Sequence, residues 1–213
     1  MKIKLIIVVI TLICCFCIYK LAFKDDSYLI AFGDSSCLAV SLYGVESASY
    51  NDYLYDFLKN KGKVSKFNNE FCVKKQKIKN IIDDINNNKR LSGMSVLTLL
   101  DKAKYITIMI GYDELTSYKM VDNGIKIEFL NEYKKLLSLI KRNTKATIFL
   151  IGYYSGFFNN VEYINKHLKA YCQNNDIVFI DVSELSSNPL NFYVQNKYNL
   201  NGKGNKILFD YIR

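Results

Sequence analysis

A serine that follows an apolar run and a glycine is the residue whose setting could most directly do chemistry. Residues 28–32 are apolar and lead into Gly33, Asp34 and Ser35. Glycine permits a backbone path that a side chain would block, which favours a tight turn here. Ser35 would then stand at the carboxyl end of a buried strand, where open α/β sheets bind their ligands, so it is the first candidate for a reactive group.

Two later segments carry polar groups in comparable places. Gly111 and Asp113 follow the β-branched run of residues 105–110, and residues 199–204 read Asn-Leu-Asn-Gly-Lys-Gly ahead of the last helical pattern. Taken in order with the first segment, these residues resemble three landmarks of the SGNH/GDSL hydrolase family, the GDSL-like lipases and acylhydrolases. The resemblance covers nearly all of residues 28–213.

The family resemblance implies acyl transfer from an ester of a lipid or an acylated glycan. Ser35 would be the nucleophile, and a histidine in the closing segment would take its proton. The Ser35 amide, a glycine of the second block and an asparagine shortly after Gly111 would hold the oxyanion. Gly33, Asp34, Gly111 and Asn196 would then border the substrate.

The chain departs from the family pattern at the groups that handle the proton. Asn199 stands at the histidine position, and an amide cannot accept a proton near neutral pH. Asn196 replaces the aspartate that usually orients the histidine. An alternative alignment of residues 188–193 places Tyr193 at the histidine position instead, and neither alignment supplies a histidine.

The expected oxyanion donors are altered as well. Asp113 stands where the family has asparagine, so a carboxylate would repel the developing negative charge unless it is protonated. The second-block glycine is absent near residues 74–76, where only a backbone amide could donate. These replacements predict a degraded or inactive catalytic set around a retained Ser35.

His167 is the only histidine, and it lies between two lysines in a predicted helix of residues 161–172. That pattern indicates a solvated helix face on the flank of the sheet, far from Ser35. With one histidine and no clustered acidic residues, the sequence predicts no metal site. Gly202 and Gly204 lack the rest of a dinucleotide or phosphate loop, so we expect a turn into the last helix and no cofactor.

Alternating strand and helix patterns supply the frame that would position these residues. Predicted strands cover residues 28–32, 64–71, 105–110, 146–151 and 177–180, and predicted helices cover residues 50–61, 78–85, 95–103, 129–140, 161–172 and 206–212. Strands joined by helices imply right-handed βαβ units and a parallel sheet. The predicted fold is a three-layer α/β/α sandwich with a five-stranded parallel sheet, flavodoxin-like and of SGNH-hydrolase type.

Residues 1–24 form a separate segment ahead of the predicted domain of residues 25–213. Two lysines precede an apolar run over residues 5–19, and extension of this run to residue 23 predicts an N-terminal transmembrane helix. A lipoprotein, with Cys14 or a neighbouring cysteine lipidated, and a cleaved signal peptide are the alternatives. The basic start favours a single-pass protein of the cell membrane with its C-terminal domain extracellular.

Composition narrows the classes of protein further. The chain has 213 residues, 50% of them hydrophobic, which is enough for one sizeable domain. Its net charge is +9, but the lysines are scattered, which argues against a nucleic-acid-binding protein. Cys37, Cys72 and Cys172 are widely spaced without a Cys-x-x-Cys pair, so we expect small buried thiols rather than a disulfide or a zinc site.

Three functions are consistent with these residues. The first is a membrane-anchored, outward-facing SGNH-type protein that keeps its pocket and binds an ester, lipid or glycan ligand with little or no hydrolysis. The second is a working esterase in which Asp113 or Glu114 serves as the base, within hydrogen-bond reach of Ser35. The third is a scaffold protein that presents some of its 17 tyrosines to a partner.

Overall fold

The central element of the computed structural model is a five-stranded parallel sheet. The structure describes residues 26–39, 47–117, 123–154, 161–193 and 196–213. Its strands are β1 (Tyr28–Gly33), β2 (Lys66–Cys72), β3 (Arg90–Leu91), β4 (Met94–Ser95), β5 (Ala103–Met109), β6 (Thr147–Ile151), β7 (Val178–Ile180), β8 (Phe192–Tyr193) and β9 (Asn196–Leu200). The sheet has the order β2-β1-β5-β6-β7, while β3 with β4 and β8 with β9 form two small antiparallel pairs.

Helices fill most of the connections between these strands. They are α1 (Tyr50–Asn60), α2 (Ile78–Asn86), α3 (Val96–Lys102), α4 (Tyr112–Ser117), α5 (Asn123–Arg142), α6 (Val161–Gln173) and α7 (Gly202–Ile212). Helix α1 packs on α7, and α2 packs on α5, which also packs on α6. Every residue of β1 is buried, as expected for a parallel strand with both faces covered. The predicted α/β fold with a five-stranded parallel sheet is confirmed.

The strand order reverses between β1 and β5. After β1 the chain adds β2 on one side, and it then adds β5, β6 and β7 on the other. Such a switch point leaves a crevice at the carboxyl ends of the two strands, and ligands of open α/β sheets bind there. Ser35 follows β1 and Gly111 follows β5, so the topology brings two landmarks of the sequence to the same edge.

Side-chain caps determine where two of the helices begin. Ser95, the first residue of the helix predicted over residues 95–103, caps α3, and Asn201 caps α7, which therefore begins at Gly202 rather than at residue 206. The short helix α4 and the two small strand pairs were not predicted, because segments of this length are too short to show a hydrophobic period.

The expectation that Cys37 and Cys72 are buried thiols is wrong, because the structure joins them in a disulfide with Cα atoms 5.7 Å apart. Pairing of β1 with β2 places Cys72 beside Gly33, and a 3-10 helix, Ser35–Cys37, returns Cys37 over the same glycine. The two cysteines are 35 residues apart in sequence, and only the strand pairing brings them into contact. Cys172 is a free and buried cysteine, as predicted.

The predicted N-terminal anchor, residues 1–24, lies outside the described residues. Within the described part of the chain, no helix is long and apolar enough to cross a membrane. The anchor therefore stays a prediction from the sequence.

Many of the tyrosines belong to the hydrophobic core. The fully buried ones include Tyr50, Tyr112, Tyr133, Tyr153 and Tyr154. Burial of a large ring contributes strongly to a core, and the hydroxyl of a buried tyrosine needs a polar partner. The abundance of tyrosine is thus explained in good part by packing rather than by a partner surface.

Replacing both Cys37 and Cys72 by alanine should lower the free energy of unfolding by roughly 2–4 kcal/mol, because the cross-link restricts the unfolded chain. Urea unfolding of the full-length protein, followed by circular dichroism, measures this change. Cys172→Ala is the control that leaves the disulfide intact, and it should cost less. A double variant as stable as the wild type would contradict the disulfide.

Candidate functional site

The candidate site lies where β1 and β5 end side by side. Ser35 begins the 3-10 helix directly after β1, and Asp113 lies in the first turn of α4, just after β5. Lys75 lies in the turn that follows β2, within the segment of residues 74–76 where a backbone donor was expected. The structure therefore brings Ser35 and Asp113 together, as the family resemblance implies.

One carboxylate oxygen of Asp113 accepts hydrogen bonds from three donors. Asp113 Oδ2 lies 2.6 Å from Ser35 Oγ, 3.1 Å from the Ser35 backbone nitrogen and 2.8 Å from the Lys75 backbone nitrogen. Hydrogen bonds to an ionised acceptor are stronger than those between neutral groups. Asp113 is therefore held in this orientation by groups from two other segments of the chain.

The two amides are the donors that acyl transfer would direct at a substrate. In an oxyanion hole, backbone N–H groups converge on the oxygen that becomes negative in the transition state. Here the N–H groups of Ser35 and Lys75 converge on Asp113 Oδ2 instead. A substrate carbonyl can reach both donors only after the Asp113 side chain turns away.

The backbone of Lys75 has a φ of +60°, in the left-handed region that favours glycine. The family pattern has a glycine in this block, and the Lys75 amide donates in its place. The lysine side chain is exposed, so it meets no packing obstacle, although the conformation itself costs about 1 kcal/mol.

Asp113 also meets the distance requirement for a base, since its Oδ2 lies 2.6 Å from the Ser35 hydroxyl oxygen. Glu114 accepts a hydrogen bond from a different segment of the chain. Its Oε2 accepts the Ile78 N–H at 2.9 Å, at the first residue of α2. Burial raises the pKa of Glu114, while the Ile78 N–H acts in the opposite direction. Of the two carboxylates considered as a base, Asp113 is therefore the one bonded to the Ser35 hydroxyl.

Asp34 connects the turn after β1 to the turn after β5 beneath the site. Its Oδ1 accepts the Ser36 N–H at 3.0 Å and the Ser36 hydroxyl at 2.6 Å, and its Oδ2 accepts the Asp113 N–H at 3.0 Å. Burial raises the pKa of Asp34 to about 6, although these hydrogen bonds lower it. Asp34 has no exposed surface, and it supports Asp113 by accepting the Asp113 N–H; its predicted place beside a substrate stays a prediction.

Gly33 and Gly111 permit close approaches at the two strand ends. A Cβ on Gly33 would meet the Met109 carbonyl oxygen. Gly111 has a φ of +97°, and a Cβ there would meet the Tyr153 hydroxyl and the Phe129 ring. Both glycines are buried and shape the backbone beneath the site, while their predicted place beside a substrate stays a prediction.

The closing segment approaches the serine without supplying a base. Asn199 is half-buried in β9, and β9 contacts the 3-10 helix that Ser35 begins. The Asn196 side chain lies outside the described residues. Tyr193, the alternative at the histidine position, lies in β8 with its hydroxyl 3.2 Å from Ser47 Oγ. Neither an amide nor a phenol accepts a proton readily near neutral pH.

His167 lies in α6, which packs beside β7 at the sheet edge away from β1. Its Nδ1 lies 2.8 Å from the Tyr163 carbonyl oxygen, and its ring packs on the Tyr163 ring. These contacts stay within its own helix, in agreement with the prediction of a position on the flank of the sheet.

A surface pocket of about 440 Å³ opens beside Asp113, lined by Lys75, Lys77, Asp113, Glu114 and Thr116. Its volume falls in the range of small-molecule sites, and its wall carries charged and hydroxyl groups beside a larger apolar surface. Among the described residues, no group of three histidine, cysteine, aspartate or glutamate side chains could hold a metal ion.

Solved structures of esterases and acylhydrolases share this architecture. The chain superposes on TesA with a TM-score of 0.65 at 10% identity, covering 87% of this chain and 95% of TesA. For a variant acetyl-xylooligosaccharide esterase from Geobacillus stearothermophilus, the TM-score is 0.63 at 14% identity, covering 88% and 92%. For a lipase/acylhydrolase from Enterococcus faecalis it is 0.63 at 14% identity, covering 87% and 93%.

A lipolytic protein of the G-D-S-L family from Veillonella parvula also matches, with a TM-score of 0.62 at 16% identity over 87% of this chain and 95% of that one. No protein-family model and no curated protein sequence matches the chain. At these identities the similarity shows the fold, which is the SGNH/GDSL-hydrolase fold.

Because of the Asp34 carboxyl, the free energy of unfolding of the protein should be larger at pH 5 than at pH 7. Its pKa is about 6 in the folded protein against 3.8 as the ordinary value, so the folded state binds more protons in this range. Lower pH then favours folding, by about 1 kcal/mol between pH 7 and pH 5. Urea unfolding of the wild type and Asp34→Asn at both pH values measures this contribution.

In Asp34→Asn, the free energy of unfolding should no longer rise by this amount between pH 7 and pH 5. In Asp176→Asn, at an exposed position, the rise should be kept. An identical pH dependence in wild type and Asp34→Asn would show that the Asp34 carboxyl is not held in the buried setting described.

Proposed function

We propose that this protein is a membrane-anchored, outward-facing protein of SGNH-hydrolase fold that binds an acylated glycan and hydrolyses it slowly or not at all. The observation that carries this proposal is the position of Asp113 Oδ2, which accepts both the Ser35 N–H and the Lys75 N–H. The donors that would stabilise an oxyanion are thus already bonded to a negative oxygen of the protein itself.

Two requirements of hydrolysis conflict at this one carboxylate. As a base, Asp113 must stay within hydrogen-bond reach of the Ser35 hydroxyl. As an obstacle in the oxyanion position, it must turn away before a carbonyl oxygen can bind the two amides. The closing segment offers Asn199 in place of a histidine, so this segment supplies no base when Asp113 turns away.

The ligand class follows from the fold and from the pocket. Two of the similar structures are an acetyl-xylooligosaccharide esterase and a lipase/acylhydrolase, which suggests an ester of a glycan or of a lipid. The wall of the pocket beside Asp113 combines charged and hydroxyl groups with a larger apolar surface. Such a wall can accommodate both the sugar and the acyl group of an acylated glycan.

The outward location has two supports. Disulfides form and persist chiefly in oxidising compartments, and Cys37 is joined to Cys72. In addition, Lys2 and Lys4 precede the apolar run, which favours a cytoplasmic N-terminus.

A second candidate function is a working esterase with Asp113 as its base, and the 2.6 Å contact between Asp113 and the Ser35 hydroxyl favours it. In that protein the carboxylate would take the serine proton as the ester carbonyl arrives. The two proposals make opposite predictions for an isosteric change at position 113.

Hydrolysis of p-nitrophenyl acetate by the full-length protein should be equal in wild type and Ser35→Ala. Asp113→Asn should not lower the rate, because the carboxylate obstructs acyl transfer and does not serve it. Initial rates above the spontaneous background are the measurement. A Ser35-dependent rate that Asp113→Asn reduces by about 100-fold or more would instead identify Asp113 as a base.

Asp113→Asn should strengthen binding of a soluble acetylated xylo-oligosaccharide by about tenfold, or about 1.4 kcal/mol, because both amides then lose their charged intramolecular acceptor. Isothermal titration calorimetry of the full-length protein measures this, with Asp176→Asn as the control variant and a short-chain monoacylglycerol as the control ligand. Weaker or unchanged glycan binding in Asp113→Asn would contradict the proposed site.

A further inference from the structure

The disulfide connects the two segments that supply the amide donors of the site. Cys37 ends the 3-10 helix that Ser35 begins, and Cys72 ends β2 shortly before Lys75. Ser35 lies two residues before Cys37, and Lys75 lies three residues after Cys72. The covalent bond therefore acts directly on the spacing of the two donors.

The surroundings of the disulfide are fixed. Its sulfur-bearing residues are 2% and 8% exposed, and they pack with Ala31 of β1. The Asn51 side-chain amide donates to Cys37 Sγ at 3.4 Å, and Asn51 Oδ1 accepts the Thr107 hydroxyl at 2.6 Å. Because Thr107 belongs to β5, this contact ties the cross-link to the strand that leads to Asp113.

The turn that carries Lys75 is exposed at its tip and is held on both sides, by the disulfide at Cys72 and by the start of α2. Val73, Lys74 and Lys75 are exposed, and the turn holds itself with a bond from the Gln76 N–H to the Val73 carbonyl oxygen at 3.0 Å. The Val73 N–H donates to the Gly33 carbonyl oxygen at 3.2 Å, directly beside the disulfide. The described bonds attach this turn at Cys72 and Val73 on the side of β2, at Asp113 through the Lys75 amide, and at Glu114 through the Ile78 N–H where α2 begins.

We propose that the Cys37–Cys72 disulfide positions the Ser35 and Lys75 amides on a common oxygen, so that the donor pair of the site is complete only in the oxidised protein. This inference deepens the proposed function and rests on it, because the donor pair is the part of the site that would receive an oxygen of the ligand. Cys37 and Cys72 are positioning residues here, since they touch neither Asp113 Oδ2 nor a ligand.

The test is the NMR spectrum of the full-length protein, read at the amide protons of Ser35 and Lys75. Hydrogen bonds to a carboxylate move both protons downfield in the wild type. In Cys37→Ala/Cys72→Ala the Lys75 proton should lose this shift, while the amides of β6 and β7 keep theirs. Cys172→Ala, with the disulfide intact, should resemble the wild type at Ser35 and Lys75.

Reduced wild-type protein is a second form of the same test that keeps both sulfur atoms in place. Dithiothreitol transfers two electrons and two protons to the Cys37–Cys72 bond, which gives two thiols and the cyclic disulfide of the reagent. An unchanged Lys75 amide shift in the reduced protein and in the folded double variant would overturn the proposal. Loss of the β6 and β7 signals in both forms would also overturn it, because the disulfide would then support the whole sheet.

The NMR measurements of the Ser35 and Lys75 amide protons require no ligand and no hydrolysis. Failure of the hydrolysis or binding experiments would refute the proposed function and leave the amide shifts as measured. Failure of the disulfide proposal leaves the hydrolysis and binding experiments unaffected.

Discussion

Three donors converge on one oxygen of Asp113, and the arrangement of this edge of the sheet depends on that convergence. The Ser35 hydroxyl and amide come from the turn after β1, and the Lys75 amide comes from the turn after β2. Asp113 itself follows β5 and is supported from below by Asp34. A buried or half-buried carboxylate is stable only when donors compensate its lost hydration, and here they are the donors that a substrate would need.

In the proposed function, the same constraint accounts for an SGNH/GDSL-hydrolase fold that is retained while its chemistry changes. The fold determines where β1 and β5 end and where their turns meet, and none of this depends on whether position 113 carries an amide or a carboxylate. An amide would add a donor to the oxyanion position, whereas a carboxylate adds an acceptor that satisfies the donors already present. On the proposed function, this one change of side-chain atom turns a site that receives an oxygen into a site in which Asp113 Oδ2 already accepts both amides.

Residues with a local signature were predictable from the sequence, and residues defined by long-range contacts were not. The five sheet strands, Ser35 and Asp113 follow from apolar runs that end in polar turns. Lys75 carries no signature, because its left-handed backbone is imposed by the turn after β2. The disulfide was missed because sheet pairing, not sequence spacing, brings Cys72 beside Gly33. Asp34 and the two glycines were expected beside the substrate, but their local pattern does not reveal that they are buried.

The most direct test of this account is the scalar coupling across the hydrogen bond between the Lys75 amide nitrogen and the Asp113 carboxyl carbon. It is measured by NMR on the full-length protein labelled with nitrogen-15 and carbon-13. The account predicts a detectable coupling from the Lys75 and Ser35 amides to the Asp113 carboxyl carbon in the absence of any ligand. Its absence, together with fast solvent exchange of both amides, would show that the oxyanion position is open and contradict the account.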